Sequence, residues 1–579
     1  MKYLDFESKY DRFPETEIKG FDDKAFSGWD DIVNQLSNEL KNVLVVDCYP
    51  GVYDQELLPN IRKAADFDLV VLMDDIFYEG EKITEIMKPF LTDDRVRGIY
   101  YYGTIMDFID EEKLNKAIEE VKEAIHSNKK VLVYGFGASL VTDEGLLVYA
   151  DMTRWEIQLR YRKGMTNFKC NNEKEDSLRK IKRGYFIEWR IADRHKEGLF
   201  DRIDYYLDTN VENKPNMVCG KGLLAALNKL TQKPFRMVPY FDPGVWGGQW
   251  MKEVCHLDPS RKNYAWSFDG VPEENSIFLR FGNVRVESPT MNLTKYLPKQ
   301  FLGKKTYSRF GAEFPIRFDF LDTMGGQNLS LQVHPTTEYI HKKFGMSYTQ
   351  DESYYILDCG ENGGVFLGLK EGIDPDEMIR ELKDAQKTNK FDDKKFVNYF
   401  HARKFDHYLI PAGTVHCSSS DTMVLEISAT PYNFTFKLWD WDRLGLDGLP
   451  RPIHIEDGEK VIQFDRTTEW VKKNLVNNFT VLHEDENYKE TRTGLHELEF
   501  IESRVYDVRT SVTFRSDGEF CICNLVDGQQ AVLESPEGRF EPYVVHYAET
   551  FIIPADAGDV VIKPLDDKPV KVIKANVRY

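Results

Sequence analysis

Four polar side chains, spread over three segments, have the types and spacing of a metal site. Gln332 and His334 are two positions apart in an apolar run, Glu352 opens a second apolar run, and His416 follows a Pro/Gly turn. Because residues two apart in a strand point to one face, Gln332 and His334 converge on one side. Burying such groups in a barrel costs several kcal/mol unless they are compensated, and a shared metal ion would remove that cost.

The donor set indicates which ion would bind. Two imidazoles, one carboxylate and one amide oxygen suit Zn²⁺, with Fe²⁺ and Mn²⁺ as chemical competitors. Either histidine alone is equally consistent with a hydrogen-bonded core residue. The period-two spacing and the neighbouring Pro/Gly turn together favour a single Zn²⁺ site formed by Gln332, His334, Glu352 and His416.

Short strands must position these residues. From Pro234 onward the chain contains many strand-like runs separated by turn residues, among them IRFDFLD, LSLQVHP, SYYILDCG, HYLIPAGTVHC and TMVLEIS. Such spacing predicts a β-sandwich or barrel. One helical pattern, roughly 374–400, interrupts the strands, and the stretch from about His496 is again strand-rich.

The first 210 residues have a different pattern, in which apolar runs alternate with helical periodicity. The strand-like runs are 43–47, 69–75, 98–103 and 130–137, and the clearest helical stretch is 111–130. This alternation predicts a parallel α/β domain. A charged run at 171–183 predicts an exposed helix or loop, and 209–216 predicts a linker.

Several ordered motifs carry a family resemblance. LSLQVHP (329–335), ESYYIL (352–357) and HYLIPAGTVHC (407–417) resemble the motifs of type I mannose-6-phosphate isomerases, which are zinc-dependent cupins. PYFDPGVWGGQW (239–250) and TFKLWDWDR (435–443) are similar to flanking segments of that family. The match runs in order from about 234 to 470 and continues more weakly to the C-terminus.

The alternating pattern of the first 210 residues and the resemblance of the rest together predict a multidomain fold: an N-terminal α/β domain followed by a β-rich bicupin (two jelly-roll barrels) with a helical insertion. We predict an α/β domain at 1–212, a catalytic cupin at 213–490 and a degenerate cupin at 491–579. In the last module Asp556 stands where a ligand histidine could have stood, and His546 belongs to a separate strand.

The family interconverts mannose 6-phosphate and fructose 6-phosphate by moving a proton between C1 and C2 through a cis-enediol. The metal ion would hold O1 and O2 and stabilise the enediolate. By resemblance the zinc ligands are Gln332, His334, Glu352 and His416, and Ser330 contacts the phosphate group. Gln350 and Trp246, which lie in or beside matching segments, are further candidates for substrate binding. Our candidate catalytic residues are Glu426 and Lys437, which align with family residues of the pocket, and Arg443.

Two departures from the family pattern concern its basic residues. Gln350 stands where the family has lysine, and Lys437 stands where it has arginine. Lysine lacks the planar fork that binds phosphate or an enediolate in a bidentate way. Arg443, Arg451 or His454 could substitute. The alternative hypothesis is therefore a catalytically weakened, metal-bearing cupin that binds or senses a sugar phosphate.

The N-terminal domain has two further features. The turn Gly135–Ser139 is glycine-rich and follows a strand, but neither the full dinucleotide-binding motif nor a P-loop lysine is present. Residues 151–164 and 185–196 loosely resemble uridine-kinase-like nucleotide kinases, which would make Arg160 and Arg162 phosphate contacts. A bifunctional kinase/isomerase is the resulting third hypothesis, and an α/β domain without catalysis is its alternative.

The composition of the chain limits the classes of molecule that it is expected to bind. The chain has 579 residues, with 76 Lys plus Arg against 96 Asp plus Glu, and a net charge of −20. Such a charge opposes nucleic acid or an anionic membrane as the main partner but leaves room for a local basic site that binds one phosphate group. The eight scattered cysteines and the absence of an apolar leader or apolar 20-residue run predict reduced thiols and a cytoplasmic protein. A small sugar phosphate is the expected partner, and the sequence does not determine the oligomeric state.

Overall fold

The computed structural model describes residues 3–429, 432–446, 448–449, 451–566 and 568–579. The chain forms two compact units, each assembled from non-consecutive segments. The α/β unit comprises Glu15–Lys229 and Ser276–Leu297, and the β-rich unit comprises Met1–Pro14, Leu230–Asn275 and Pro298–Tyr579. The α/β unit thus extends past the predicted boundary at residue 212.

A seven-stranded sheet forms the centre of the α/β unit. In spatial order its strands are Ala25–Ser27, Asn216–Cys219, Tyr205–Asp208, Leu146–Asp151, Val43–Cys48, Val131–Gly135 and Leu69–Leu72. The first two strands are antiparallel additions and the other five are parallel. All six residues of Val43–Cys48 are buried, as expected for an apolar run in a parallel sheet that helices cover on both faces.

Helices connect these strands, and a small second sheet belongs to the same unit. The α-helices are Trp29–Glu39, Asp54–Ile61, Gly80–Met87, Glu111–His126, Arg154–Arg162, Ser177–Arg183, Trp189–Glu197, Gly220–Thr231 and Met291–Tyr296, and a π-helical turn spans Gly184–Glu188. The second sheet contains Glu15–Glu17, Ser276–Phe281 and Val284–Pro289.

Two sequence predictions for this unit are wrong, and a third holds only in part. Residues 98–103 form no strand, because their backbone amides bond to loop and helix carbonyls, as Tyr101 N does to Phe186 O at 3.0 Å. Residues 209–216 connect two antiparallel strands of one sheet and are not a linker. The charged run at 171–183 is partly buried, and Lys180 Nζ donates to the carbonyls of Met165 and Glu173 at 3.0 and 2.8 Å.

Two antiparallel sheets form the first part of the β-rich unit. The six-stranded sheet has the order His407–Ile410, Glu352–Cys359, Thr422–Ala429, Ile316–Asp322, Trp266–Gly270, Tyr240–Asp242. The five-stranded sheet has the order Val397–His401, Gly364–Leu369, His416–Ser418, Leu331–Val333, Phe436–Trp439. The helical insertion predicted at 374–400 is present as Pro375–Thr388 and Asp393–Phe396.

Two further antiparallel sheets complete the unit. One has the order Thr480–Glu484, Tyr488–Gly494, Ile501–Val508, Val570–Val577, Cys521–Asp527, Thr550–Ile553, and the other Val512–Phe514, Val560–Pro564, Gln530–Glu534, Tyr543–His546. Their inward side chains share one apolar core. The remaining helices are Trp250–Val254, Pro298–Leu302, Lys304–Phe310, Thr337–Phe344, Ile455–Gly458 and Thr468–Asn474.

All eight cysteines are free thiols, as predicted. Cys521 and Cys523 do face the same side of their strand, with their sulfur atoms 3.9 Å apart. Among the helices in the described ranges, none has the length and apolar character needed to span a bilayer.

Candidate metal centre

The two sheets of the first part supply the four predicted ligands. Gln332 lies directly opposite His416 in the five-stranded sheet, so both side chains project from the same face. His334 follows the strand of Gln332 by one residue, which returns it to that face. Glu352 begins a strand of the six-stranded sheet. The site is therefore built from both sheets.

The ligand atoms of these side chains lie close together. One nitrogen each from His334 and His416 and one oxygen from Glu352 are within 4.8 Å of one another. His334 Nε2 contacts Glu352 Oε2, and His416 Nε2 is 3.7 Å from Glu352 Oε1. The side-chain amide of Gln332 approaches His416 Nε2 to 3.2 Å. The structure thus brings all four predicted ligands to one point.

Backbone carbonyls orient both imidazole rings. His334 Nδ1 is 3.0 Å from Phe434 O, and His416 Nδ1 is 2.9 Å from Thr414 O. Because a carbonyl only accepts, each Nδ1 carries the hydrogen, and each Nε2 keeps a lone pair that can bind a metal ion. Burial lowers the pKa of His416 to about 4, so the ring is neutral at physiological pH.

Glu352 completes a set of donors that fits zinc. Its side chain is buried, and Oε1 accepts no hydrogen bond from the residues that the structure describes. Burial raises the pKa of this carboxyl group, which shows that the protein alone does not offset its charge. Two imidazoles beside such a carboxylate match the ligand types of Zn²⁺ sites.

Part of the chain is similar to proteins that have been named. The protein named "Probable mannose-6-phosphate isomerase GmuF" of Bacillus subtilis is 30% identical over 233 residues, which are 40% of this chain and 68% of that protein. The chain belongs to the mannose-6-phosphate isomerase family. Mannose-6-phosphate isomerase ManA of Bacillus subtilis is 24% identical over 314 residues, covering 52% of this chain and 87% of its own length.

Two further matches were found. A crystal structure of the mannose 6-phosphate isomerase from Bacillus subtilis covers 60% of this chain and 100% of its own, with 18% identity and a TM-score of 0.49. Residues 28–232 match a family described as a domain of unknown function (DUF8485). This second match falls on the α/β unit, outside the segments that carry the candidate metal centre.

Gln350, where the isomerase family resemblance leads one to expect lysine, contacts one of the candidate metal ligands directly and a second one through Phe434. Its Oε1 accepts the N–H of Phe434 at 2.9 Å, and its Nε2 donates to Glu352 Oε2 at 3.4 Å. Since the carbonyl of Phe434 orients His334, this one amide is connected to two ligands. The sequence identified the position but not these contacts, because Phe434 is remote from Gln350 in the chain.

Replacing Gln350 by methionine should weaken zinc binding, because the side chain keeps its length but loses both hydrogen bonds. We expect a loss of about 10–100-fold in zinc affinity, the usual effect of removing a partner of a metal ligand. Competition with a chromogenic chelator measures this affinity. The exposed Gln386→Met is the matched control, and an unchanged affinity in Gln350→Met would contradict the positioning role.

Glu426 lies on the same sheet face as Glu352. Ser428 is directly opposite Glu352, and Glu426 precedes Ser428 by two residues. Asp319 lies directly opposite Glu426, and Arg317 Nη2 is 4.0 Å from Glu426 Oε1. The buried pair of acids beside one arginine was missed in the sequence, although Arg317 and Asp319 alternate within an apolar strand.

The pairing of strands in the five-stranded sheet determines the position of Lys437. It lies directly opposite Gln332 in the five-stranded sheet, so its side chain starts from the face that carries the ligands. Ser330 is buried, and its hydroxyl donates to Asp440 Oδ1 at 2.7 Å. The same carboxylate pairs with Arg443 at 2.6 Å and with Arg451 at 3.0 Å. Asp440 therefore ties Ser330 to two arginines.

Trp246 is fully buried in this family member. Its ring packs edge-to-face on Trp266, with the ring centroids 4.6 Å apart. The structure thus gives it a core contact, and its predicted role in substrate binding stays a prediction.

The hydrogen-bond donors of the glycine-rich turn in the α/β unit are bound by another side chain of the protein. The N–H groups of Gly137 and Ser139 both donate to the buried carboxylate of Asp47 at 3.0 Å, and the Ser139 hydroxyl also donates to it. His195 Nε2 is 2.8 Å from the same carboxylate. Since Asp47 already occupies these donors, the turn offers them to no phosphate group.

Arg160 also has an internal role. Its side chain is 1% exposed and donates to the carbonyl oxygens of Gly51 and Thr209 at 2.8 Å. An arginine held in this way fixes two loops to each other. The expected lid contact with phosphate therefore does not describe Arg160.

Proposed function

We propose that the chain is a zinc-dependent aldose–ketose isomerase that interconverts mannose 6-phosphate and fructose 6-phosphate. The observation that carries the proposal is the buried centre of His334, Glu352 and His416, in which both Nε2 atoms and one carboxylate converge. The names of the relatives support the choice of substrate.

The reaction would move a proton between C1 and C2 of the sugar through a cis-enediol. A bound zinc ion would supply positive charge to the neighbouring sugar oxygens. Glu426, on the Glu352 face, is our candidate for carrying the proton, because it is a buried carboxyl group beside the site. Lys437 would add positive charge from the Gln332 side.

The phosphate end of the substrate needs its own donors. Ser330 precedes Gln332 by two residues, which corresponds to roughly 7 Å along a strand. Its hydroxyl lies 3.2 Å from Arg451 Nη1, and Arg443 reaches the same Asp440 carboxylate. We propose Ser330 as the phosphate contact, with Arg443 held beside it; to bind phosphate, the Ser330 hydroxyl would have to turn away from Asp440.

A coupled assay of mannose 6-phosphate conversion tests the reaction directly. Purified protein with a determined metal content should convert mannose 6-phosphate to fructose 6-phosphate, and chelation of the metal should stop turnover until Zn²⁺ is restored. Other phosphosugars and unphosphorylated sugars serve as comparison substrates. A zinc-loaded protein without turnover on mannose 6-phosphate would overturn the proposal and favour the sensing alternative.

We propose that the other modules are not catalytic. Residues 491–579 would form a degenerate second cupin. In the α/β unit the helix after the first parallel strand has Asp54 and Glu56 in its first turn, and such charges oppose phosphate at a helix N-terminus. Isothermal titration of the full chain with Mg²⁺–ATP should show no binding above background, whereas micromolar binding would revive the kinase hypothesis.

A further inference from the structure

The five-stranded sheet that carries the ligands has a second, outward face. Leu367 lies opposite His416, so both belong to the ligand face. The neighbouring Phe366 lies opposite Tyr399, and these two side chains therefore point away from the metal centre. Their rings are in edge-to-face contact, with centroids 4.9 Å apart.

A cleft of about 570 Å³ lies along this outward face. Phe366 and Tyr399 line it, together with residues of the helices Asp393–Phe396 and Thr468–Asn474. Tyr399 is 37% exposed, which is high for an aromatic side chain on a sheet. The volume is within the range of sites that hold small molecules, about 300–1,000 Å³.

The lining of the cleft is basic although the chain carries a net charge of −20. Three lysines line it, Lys370, Lys394 and Lys472, against one carboxyl group, that of Asp393. Lys394 forms no ion pair with the residues of the described ranges. Among the residues that the structure describes, Lys472 forms an ion pair only with the exposed Glu469, at 3.0 Å, and a solvated pair of this kind holds a lysine weakly.

Asn398 gives the cleft a fixed polar wall. It is buried, and its amide donates to Leu369 O at 2.7 Å and accepts the Thr468 hydroxyl at 2.7 Å. These bonds hold the strand that carries Tyr399 against the helix that carries Lys472. The strand that carries Tyr399 and the backbone of the helix that carries Lys472 are therefore held together before any ligand binds.

We propose that this cleft binds a phosphate monoester carried on a ring, at a site separate from the metal centre. The ammonium groups of Lys394 and Lys472 would bind the phosphate. The exposed ring of Tyr399, which packs on the buried Phe366, would lie against the ring of the ligand. A mononucleotide and a hexose phosphate share this chemistry. Because the cleft is on the opposite face of the ligand-bearing sheet, its occupation would act on the centre only through that sheet.

Isothermal titration of the full-length protein at low salt tests the site, with adenosine 5′-monophosphate, mannose 6-phosphate and inorganic phosphate as separate probes. We expect at least one ring phosphate to bind, and the pair Lys394→Glu with Lys472→Glu to weaken that binding at least about tenfold, since each removes a charge-assisted hydrogen bond. Tyr399→Ala should weaken the ring phosphates but not inorganic phosphate. The probe that binds most tightly identifies the source of the ligand.

Controls separate this site from the metal centre and from net charge. The exposed Lys387→Glu changes the charge of the same insertion and should leave binding unchanged. All titrations are repeated after the metal has been removed. Because the cleft uses no metal, binding there should persist in the metal-free protein, whether or not the chain proves to be an isomerase. Binding of none of the probes, or binding that survives both lysine reversals, would overturn the proposal.

Discussion

Replacing His416 by alanine should remove the bound zinc and lower isomerase turnover by more than about 100-fold, the upper effect of losing an outer partner of a metal ligand. The imidazole supplies a neutral nitrogen to the centre, because Thr414 O fixes the hydrogen on Nδ1. Without it, Glu352 stays buried beside only one other nitrogen ligand. Affinity for zinc and the placement of the substrate oxygens should therefore be lost together.

The measurement is zinc content per chain after dialysis, taken alongside turnover in the coupled assay. His401→Ala is the matched control, because His401 is an exposed histidine on an edge strand of the same sheet. Circular dichroism shows whether the variant has folded. A folded His416→Ala protein that retains one zinc ion per chain would show that the ligand assignment is wrong.

The candidate centre could be predicted from the sequence because strand geometry links spacing to side-chain direction. Gln332 and His334 share a face for any strand that contains them, and the structure places both beside His416. What spacing cannot give is the register between distant strands. The contacts from Gln350 to Phe434 and from Asp319 to Glu426 depend on that register.

Predictions for the α/β unit failed where residues distant in the sequence form hydrogen bonds with the local motif. The Gly135–Ser139 turn has the composition of a phosphate-binding turn, but its amides are used by Asp47, a residue about 90 positions earlier. Lys180 is buried, and backbone carbonyls accept hydrogen bonds from its side-chain nitrogen. Charge patterning alone therefore predicts exposure incorrectly when the backbone supplies acceptors.

Replacing Glu426 by glutamine should lower turnover by about 10²–10⁴-fold, the usual contribution of a general acid or base. The amide has the size of the carboxyl group but cannot transfer a proton to or from carbon. Zinc content should stay at the wild-type level, because Glu426 is not one of the clustered ligands. The exposed Glu361→Gln is the control. Loss of zinc in Glu426→Gln would show a ligand role in place of proton transfer.

The same substitution should change how stability depends on pH in the metal-free chain. Burial, and then the charge of Glu352, raises the pKa of Glu426 from 4.5 to about 8. A raised carboxyl pKa means that the folded state binds the proton more tightly, so this stabilisation is full below pH 4.5 and is lost as the pH rises through about 8. The free energy of unfolding, measured with urea, should therefore fall between pH 5 and 9 more steeply for the wild type than for Glu426→Gln. Parallel pH curves for the two proteins would mean that Glu426 ionises in the fold as it does in water, and that a solvated carboxylate, not a buried carboxyl group, lies beside the centre.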